Sequence, residues 1–164
     1  MAFYFQVDGL DELNAKMEKL GGEALHIAAE GLYEGAGVVA DAVSSAVNGI
    51  ATEKFKYAAG GKKRKPSPEE KALLTSAKKG VAKFRSNGTE VQTSVGMQNA
   101  GYGNINGKSK PGPQIANAIN SGTSFMNKQP FVRKAAKSGG TKAINAMKAR
   151  IEEAFDQIIG GKTE

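Results

Sequence analysis

Phe3, Phe5 and Val7 alternate with Tyr4 and Gln6 in the segment AFYFQV at residues 2–7. A period of two predicts a short strand with one apolar face. Asp8-Gly9 punctuates it, and Asp8 or Asp11 stands where a helix cap is expected. From Leu10 to Ile50 the period becomes that of a helix. Leu10, Leu13, Met17 and Leu20 open a stripe, and Gly21-Gly22 interrupts it. Ala28, Leu32, Gly35, Val39, Val43, Ala46 and Ile50 then resume it at intervals of three and four. Glu23, Glu30, Glu34 and Asp41 carry the opposite face, so the helix is amphipathic. Its small residues, Ala28, Gly31, Gly35, Ala36, Ala40 and Ala46, permit close approach of another element. A break or kink is expected at Gly21-Gly22.

Residues 51–68 lose this order. Gly60-Gly61, the run Lys62-Lys63-Arg64-Lys65 and two prolines, Pro66 and Pro68, predict a loop. Ser67 as N-cap, Pro68 at the first helical position and Glu69 and Glu70 in the first turn then start a short helix, expected to run to about Lys79 and stop at Gly80. Residues 81–86 and 90–96 read as a hairpin about Asn87-Gly88, a pair that tolerates the positive φ of a tight turn. Gln98 to Pro113 reads as a loop rich in Gly, Asn and Lys. Ile115 to Asn120 gives one or two helical turns, and residues 121–128 connect. From Pro130 to about Ile159 the helical pattern returns, with Ile144, Met147, Ile151, Ala154, Phe155 and Ile158 as its apolar stripe, a break expected at Ser138-Gly139-Gly140 and an end at Gly160-Gly161. The expected fold class is α+β: two long helices packed on a small antiparallel sheet, with a β-hairpin and a long basic loop. One domain over residues 1–164 is expected, with a basic arm at about 51–80.

Composition narrows the chemistry. The 164 residues include no Cys and one His, His26, so disulfides, thiol catalysis and multi-His metal sites are excluded. No apolar run approaches the roughly 18 residues of a membrane span, and the start lacks the pattern of a signal peptide. A cytosolic chain is the expectation. The net charge is +7, and it is concentrated. Residues 51–86 hold eleven Lys or Arg against three acids, whereas the rest holds twelve against thirteen. Such clustering points to an anionic partner.

Other candidate chemistry reads as structure. Gly160-Gly161-Lys162-Thr163 lacks the earlier glycine and the following helix of a phosphate-binding loop. Gly101, Gly103 and Gly107 have the wrong spacing for a dinucleotide fingerprint. His26 reads as a surface or core-edge histidine. Glu69-Glu70 and Glu152-Glu153 are adjacent on helices and so diverge in direction. No catalytic residue, cofactor-binding residue or metal ligand is predicted, and the chain is not expected to be an enzyme. The basic segment stands out instead. Lys54-Phe55-Lys56-Tyr57 interleaves cations with aromatics, and Lys62, Lys63, Arg64 and Lys65 follow a glycine hinge. The residues leave three readings open: a nucleic-acid contact, an arm docking on an acidic protein face, or a solvated loop. Mutual repulsion within 62–65 predicts an arm that is mobile until an outside anionic surface orders it.

Two further stretches carry a family resemblance. Val7-Asp8-Gly9-Leu10-Asp11-Glu12-Leu13 leads a strand into a helix, and residues 119–135 read INSGTSFMNKQPFVRKA. A GLDEL opening with a later NxGTSxMxxQPFxRKA resembles the head–tail joining, neck or tail-completion proteins of long-tailed bacteriophages, a family that includes minor tail and neck proteins of lambda-like siphophages. In the middle, the family's PxxTGxLxxS segment is replaced by the basic stretch 54–79, where only Leu73-Leu74-Thr75-Ser76 is similar. The resemblance implies a structural virion subunit, assembled in the host cytoplasm. It implies a ring, commonly of six copies, around the DNA channel, joining tail to capsid and touching neighbouring connector and tail proteins. DNA in the channel is a possible contact, and no membrane is. The alternative is a nucleic-acid-binding protein that uses residues 54–65. Within the motif, Gly122 allows a turn, and Thr123 and Ser124 can satisfy local amides. Pro130 suits a helix start, Phe131 is an apolar anchor, and Arg133 and Lys134 lie in a first turn where positive charge opposes the helix dipole. The interface expected from these arguments comprises Lys62, Lys63, Arg64, Lys65, Gly122, Thr123, Pro130, Phe131, Arg133 and Lys134.

Overall fold

The computed structural model describes residues 2–4, 24–54, 60, 62–81, 85–86, 90–98, 100–105 and 107–160. The expected helix over residues 10–20, its kink at Gly21-Gly22 and the GLDEL motif lie outside the described residues.

Helix α1 (Ala24–Asn48) and helix α4 (Phe131–Gly160) form the frame. They pack antiparallel along small residues. A Cβ on Gly31 would stand 2.6 Å from the Ile151 side chain, and one on Gly139 would stand 2.7 Å from Ala42 Cβ. The glycines that suggested a break in the second long helix are therefore a notch in an unbroken one. Gly139 is buried and lets α1 come close, while a Cβ on Gly140 would meet nothing. The expected α4 stripe holds at Met147, Ile151 and Ala154, with Phe155 half-buried beside them, and departs at Ile144. Phe131, Ala135, Ala143, Met147, Ile151 and Ala154 are buried, whereas Ile144 is exposed. On α1 the buried line is Ile27, Ala36, Val39, Ala40, Val43 and Val47.

Three strands lie beside the helix pair. β1 (Ala2–Tyr4), β2 (Lys78–Val81) and β5 (Ser94–Gln98) form an antiparallel sheet in the order β1-β5-β2. On β5, Val95 and Met97 alternate into the core, the period-two pattern of a half-buried strand. Beyond β2, strands β3 (Arg85–Ser86) and β4 (Val91–Gln92) pair Ser86 with Val91. The Asn87-Gly88 turn expected in this hairpin lies outside the described residues. Lys78 and Lys79 were expected to end a helix, with Gly80 as its stop and a strand from Val81. Helix α2 (Pro68–Ser76) stops earlier, and Lys78 onward pairs with β5.

The Gly-rich stretch before Pro113 is a second hairpin, not a loop. β6 (Tyr102–Ile105) and β7 (Lys108–Pro111) pair Ile105 with Lys108, so only Asn106 and Gly107 intervene, and Gly107 has φ +79°. The two-residue Asn-Gly hairpin signal was present at this site. Helix α3 (Gly112–Ser121) follows at once and buries Ile115, Ala116 and Ile119. The chain is thus α+β, with four helices, two of them long, and small antiparallel sheets among the described residues.

Candidate partner-binding surface

The basic arm and the motif after α3 were predicted separately, and the backbone joins them. Arg64 and Met126 form a parallel bridge. Arg64 N donates to Phe125 O at 2.9 Å, and Asn127 N donates to Arg64 O at 2.8 Å. Asn127 Nδ2 adds a bond to Lys63 O at 3.2 Å. On the far side of the arm, Glu53 N donates to Pro66 O at 3.0 Å, and Lys65 N donates to Glu53 Oε1 at 2.7 Å. Gln129 Nε2 reaches Ala51 O at 3.0 Å. Residues 51–53, 63–66 and 125–129 therefore lie side by side where α1 ends and α4 begins.

This arrangement corrects the expectation of a free arm at residues 62–66. The cation at its centre is neutralised inside the chain. Arg64 is 3% exposed and forms a two-pronged ion pair with Glu70, which is 4% exposed. Glu70 Oε2 also accepts from Ser67 N at 2.8 Å, while Ser67 Oγ accepts from Glu70 N at 3.2 Å. The expected cap at Ser67 is thus a full capping box, and its glutamate serves the arginine as well. Arg64 is removed from the surface by this pairing and is no partner-facing cation.

Two lysines of the basic segment are also used internally. Lys71 Nζ donates to Asn48 O and Ile50 O at 2.6 and 3.0 Å, closing the C-terminal end of α1. Lys79 Nζ donates to Leu74 O and Thr75 O at 2.6 and 3.1 Å, closing α2. Cations there satisfy orphan carbonyls and complement the helix dipole. Partial burial lowers the Lys79 ammonium below the usual lysine pKa. Lys62, Lys63 and Lys65 are exposed, as is Lys128 beside the bridge.

The motif residues divide in the same way. Gly122 has φ +79° as the C-cap of α3, and its N–H donates to Ala118 O at 2.9 Å. Thr123 Oγ1 accepts from Phe125 N and Met126 N at 3.3 and 3.0 Å. Pro130 O accepts from Lys134 N at 3.1 Å and starts α4. Phe131 is 1% exposed, so its ring is core rather than contact surface. Asn120 Oδ1, which was not singled out, accepts from Val132 N at 3.2 Å and supplies the cap that Pro130 lacks. Arg133 and Lys134 are exposed in the first turn. The surface left for a partner is Lys62, Lys63, Lys65, Lys128, Arg133 and Lys134, on a frame held by Arg64, Gly122, Thr123, Pro130 and Phe131.

His26 lies elsewhere, exposed on α1 and 3.2 Å from Glu30. Gly101 and Gly103 belong to the β6–β7 region. A shallow open groove beside α2 is lined by Thr52, Pro68, Lys71, Ala72, Thr75 and Ser76, and Lys71 there is already engaged by carbonyls. Among the described residues there is no helix long and apolar enough to cross a membrane and no group of His, Asp or Glu disposed to hold a metal ion. Comparison with protein-family models, with curated proteins and with solved structures returns no match.

Proposed function

We propose that the chain is a structural virion subunit of a phage neck or tail end, joining tail to capsid as part of a ring around the DNA channel. The motif resemblance suggests the assembly. The observation that carries the reading to particular residues is the Arg64–Met126 bridge, which unites the basic arm and the motif in one exposed cationic surface. A docking surface needs side chains presented on a fixed backbone. Here the backbone is fixed by hydrogen bonds, while Lys62, Lys63, Lys65 and Lys128 project outward. The reading assigns no catalysis. It is tested by native mass measurement of the full chain, alone and with purified tail tubes. A ring, or a stoichiometric complex with the tubes, is the expected result. A chain that stays monomeric and does not join the tubes overturns it.

A second reading is favoured by the same exposed lysines: a nucleic-acid contact through phosphate neutralisation. Replacing Lys62, Lys63 and Lys65 with Ser, and leaving Arg64 intact, separates the two. The structural reading expects head–tail joining to fall and weak binding to random duplex DNA in both forms. Tight DNA binding with a steep salt dependence, abolished by the substitution while joining persists, reverses the order.

A further inference from the structure

Among the described residues, the two ends of the helix pair carry opposite charge. Antiparallel packing of Gly31 against Ile151 brings the first part of α1 beside the last part of α4. Residues 24–34 and 145–157 there hold five carboxylates against two cations. One of the cations, Arg150, is already tied to Glu30 and Glu153 at 2.8 Å each. At the other end, residues 48–54, 62–71 and 122–137 hold ten cations against three carboxylates. Of those three, Glu70 is consumed by Arg64 and Glu53 by the Lys65 amide. From Arg133 to Asp156 is about 35 Å at 1.5 Å per residue.

These ends do not neutralise each other within one molecule, since about 35 Å is several times the roughly 10 Å screening length at 0.1 M salt. The order of the charges is also not one that helix stability favours. Cations at the start of α4 oppose its dipole, and no acid stands in its first turn and no base in its last. An arrangement that costs local stability and leaves two complementary faces uncovered among the described residues is satisfied by a second copy.

We propose that copies of this chain associate head to tail. The basic end, Lys62, Lys63, Lys128, Arg133 and Lys134, docks on the acidic end of the next copy, Glu34, Glu152 and Asp156. The contact uses two different surfaces, so it repeats, and it closes into a ring when the rotation between copies closes. This deepens the ring reading above by naming the subunit interface.

The experiment is sedimentation of the full chain and of two charge-reversed variants, each checked for folding by circular dichroism. One carries Lys62→Glu, Lys63→Glu and Lys134→Glu. The other carries Glu152→Lys and Asp156→Lys. The unmodified chain associates at low salt and dissociates near 1 M salt, where the screening length is about 3 Å. Each variant alone associates about tenfold or more weakly, because the attraction between its two ends is largely lost in the first and turned to repulsion in the second. Mixing the variants restores association, since one unsubstituted basic end again meets an unsubstituted acidic end, and the new glutamates of one variant face the new lysines of the other. No association of the unmodified chain at low salt overturns the proposal. So does association that neither variant changes, or a mixture that fails to recover. Unchanged self-association with lost duplex DNA binding in the basic-end variant also overturns it, and assigns that end to nucleic acid. Joining to tail tubes is measured separately. A chain that joins them while the mixed variants fail to recover keeps the ring reading and loses this interface.

Discussion

Arg64 shows how one side chain decides what a charged run means. Four consecutive cations repel one another, and the chain answers by turning one of them inward onto Glu70. The carboxylate holds the guanidinium and the start of α2 together. Arg64 also donates to Lys65 O at 3.0 Å, while its Nε has no partner. Breaking such a pair leaves a buried charge uncompensated, at a cost of about 3–5 kcal/mol. Glu70→Ala is therefore expected to lower stability by that order in chemical denaturation. The double change Arg64→Met with Glu70→Leu recovers much of the loss, because no buried charge is left. Equal losses in the single and the double variant would show that the pair's charge is not what matters. Phe131 sets the same test for the motif. At 1% exposed it belongs to the main core cluster with Ile115 and Ile119, and Phe131→Ala is expected to cost about 3–5 kcal/mol.

At the scale of elements, adjacent glycines differ in meaning. Gly139→Ala drives a methyl against Ala42, and overpacking of this kind costs about 1–3 kcal/mol, more than the gain in helix propensity. Gly140→Ala meets open space and is expected to stabilise α4 by about 1 kcal/mol. Thermal melts of the two variants should move in opposite directions. A shared direction would remove the notch as the reason for Gly139. Sequence periodicity made the two long helices legible, and Ser67, Pro68 and Glu70 marked the start of α2. It could not tell a glycine pair that ends a helix from one that admits a neighbour, since that depends on what lies opposite. It also left the β6–β7 hairpin unread, because Lys108, Ser109 and Lys110 lack the apolar alternation of a buried strand. The candidate surface was legible in part: Lys62, Lys63, Lys65, Arg133 and Lys134 are exposed. Arg64 and Lys79 are turned onto partners within six positions of themselves, and Lys71 onto carbonyls 21 and 23 positions away, pairings that a count of charges does not reveal. Lys71→Met is accordingly expected to lower stability by about 1 kcal/mol through the lost bonds at the end of α1.

For the molecule as a whole, the net charge of +7 says less than its distribution. The basic end and the acidic end are held apart by α1 and α4, and the polarity runs against the dipole of α4 at its start. That opposition separates stability from assembly in one experiment. Arg133→Glu and Lys134→Glu place acids in the first turn, where each is expected to stabilise the helix by about 0.3–1 kcal/mol. The doubly substituted chain should therefore melt at a higher temperature than the parent while associating less. A residue kept for folding gives the reverse order, with a lower melting temperature and unchanged association. Paired measurements of melting and sedimentation at low salt decide between them. Higher stability with weaker association would identify Arg133 and Lys134 as charges maintained for a partner at the expense of the helix that carries them.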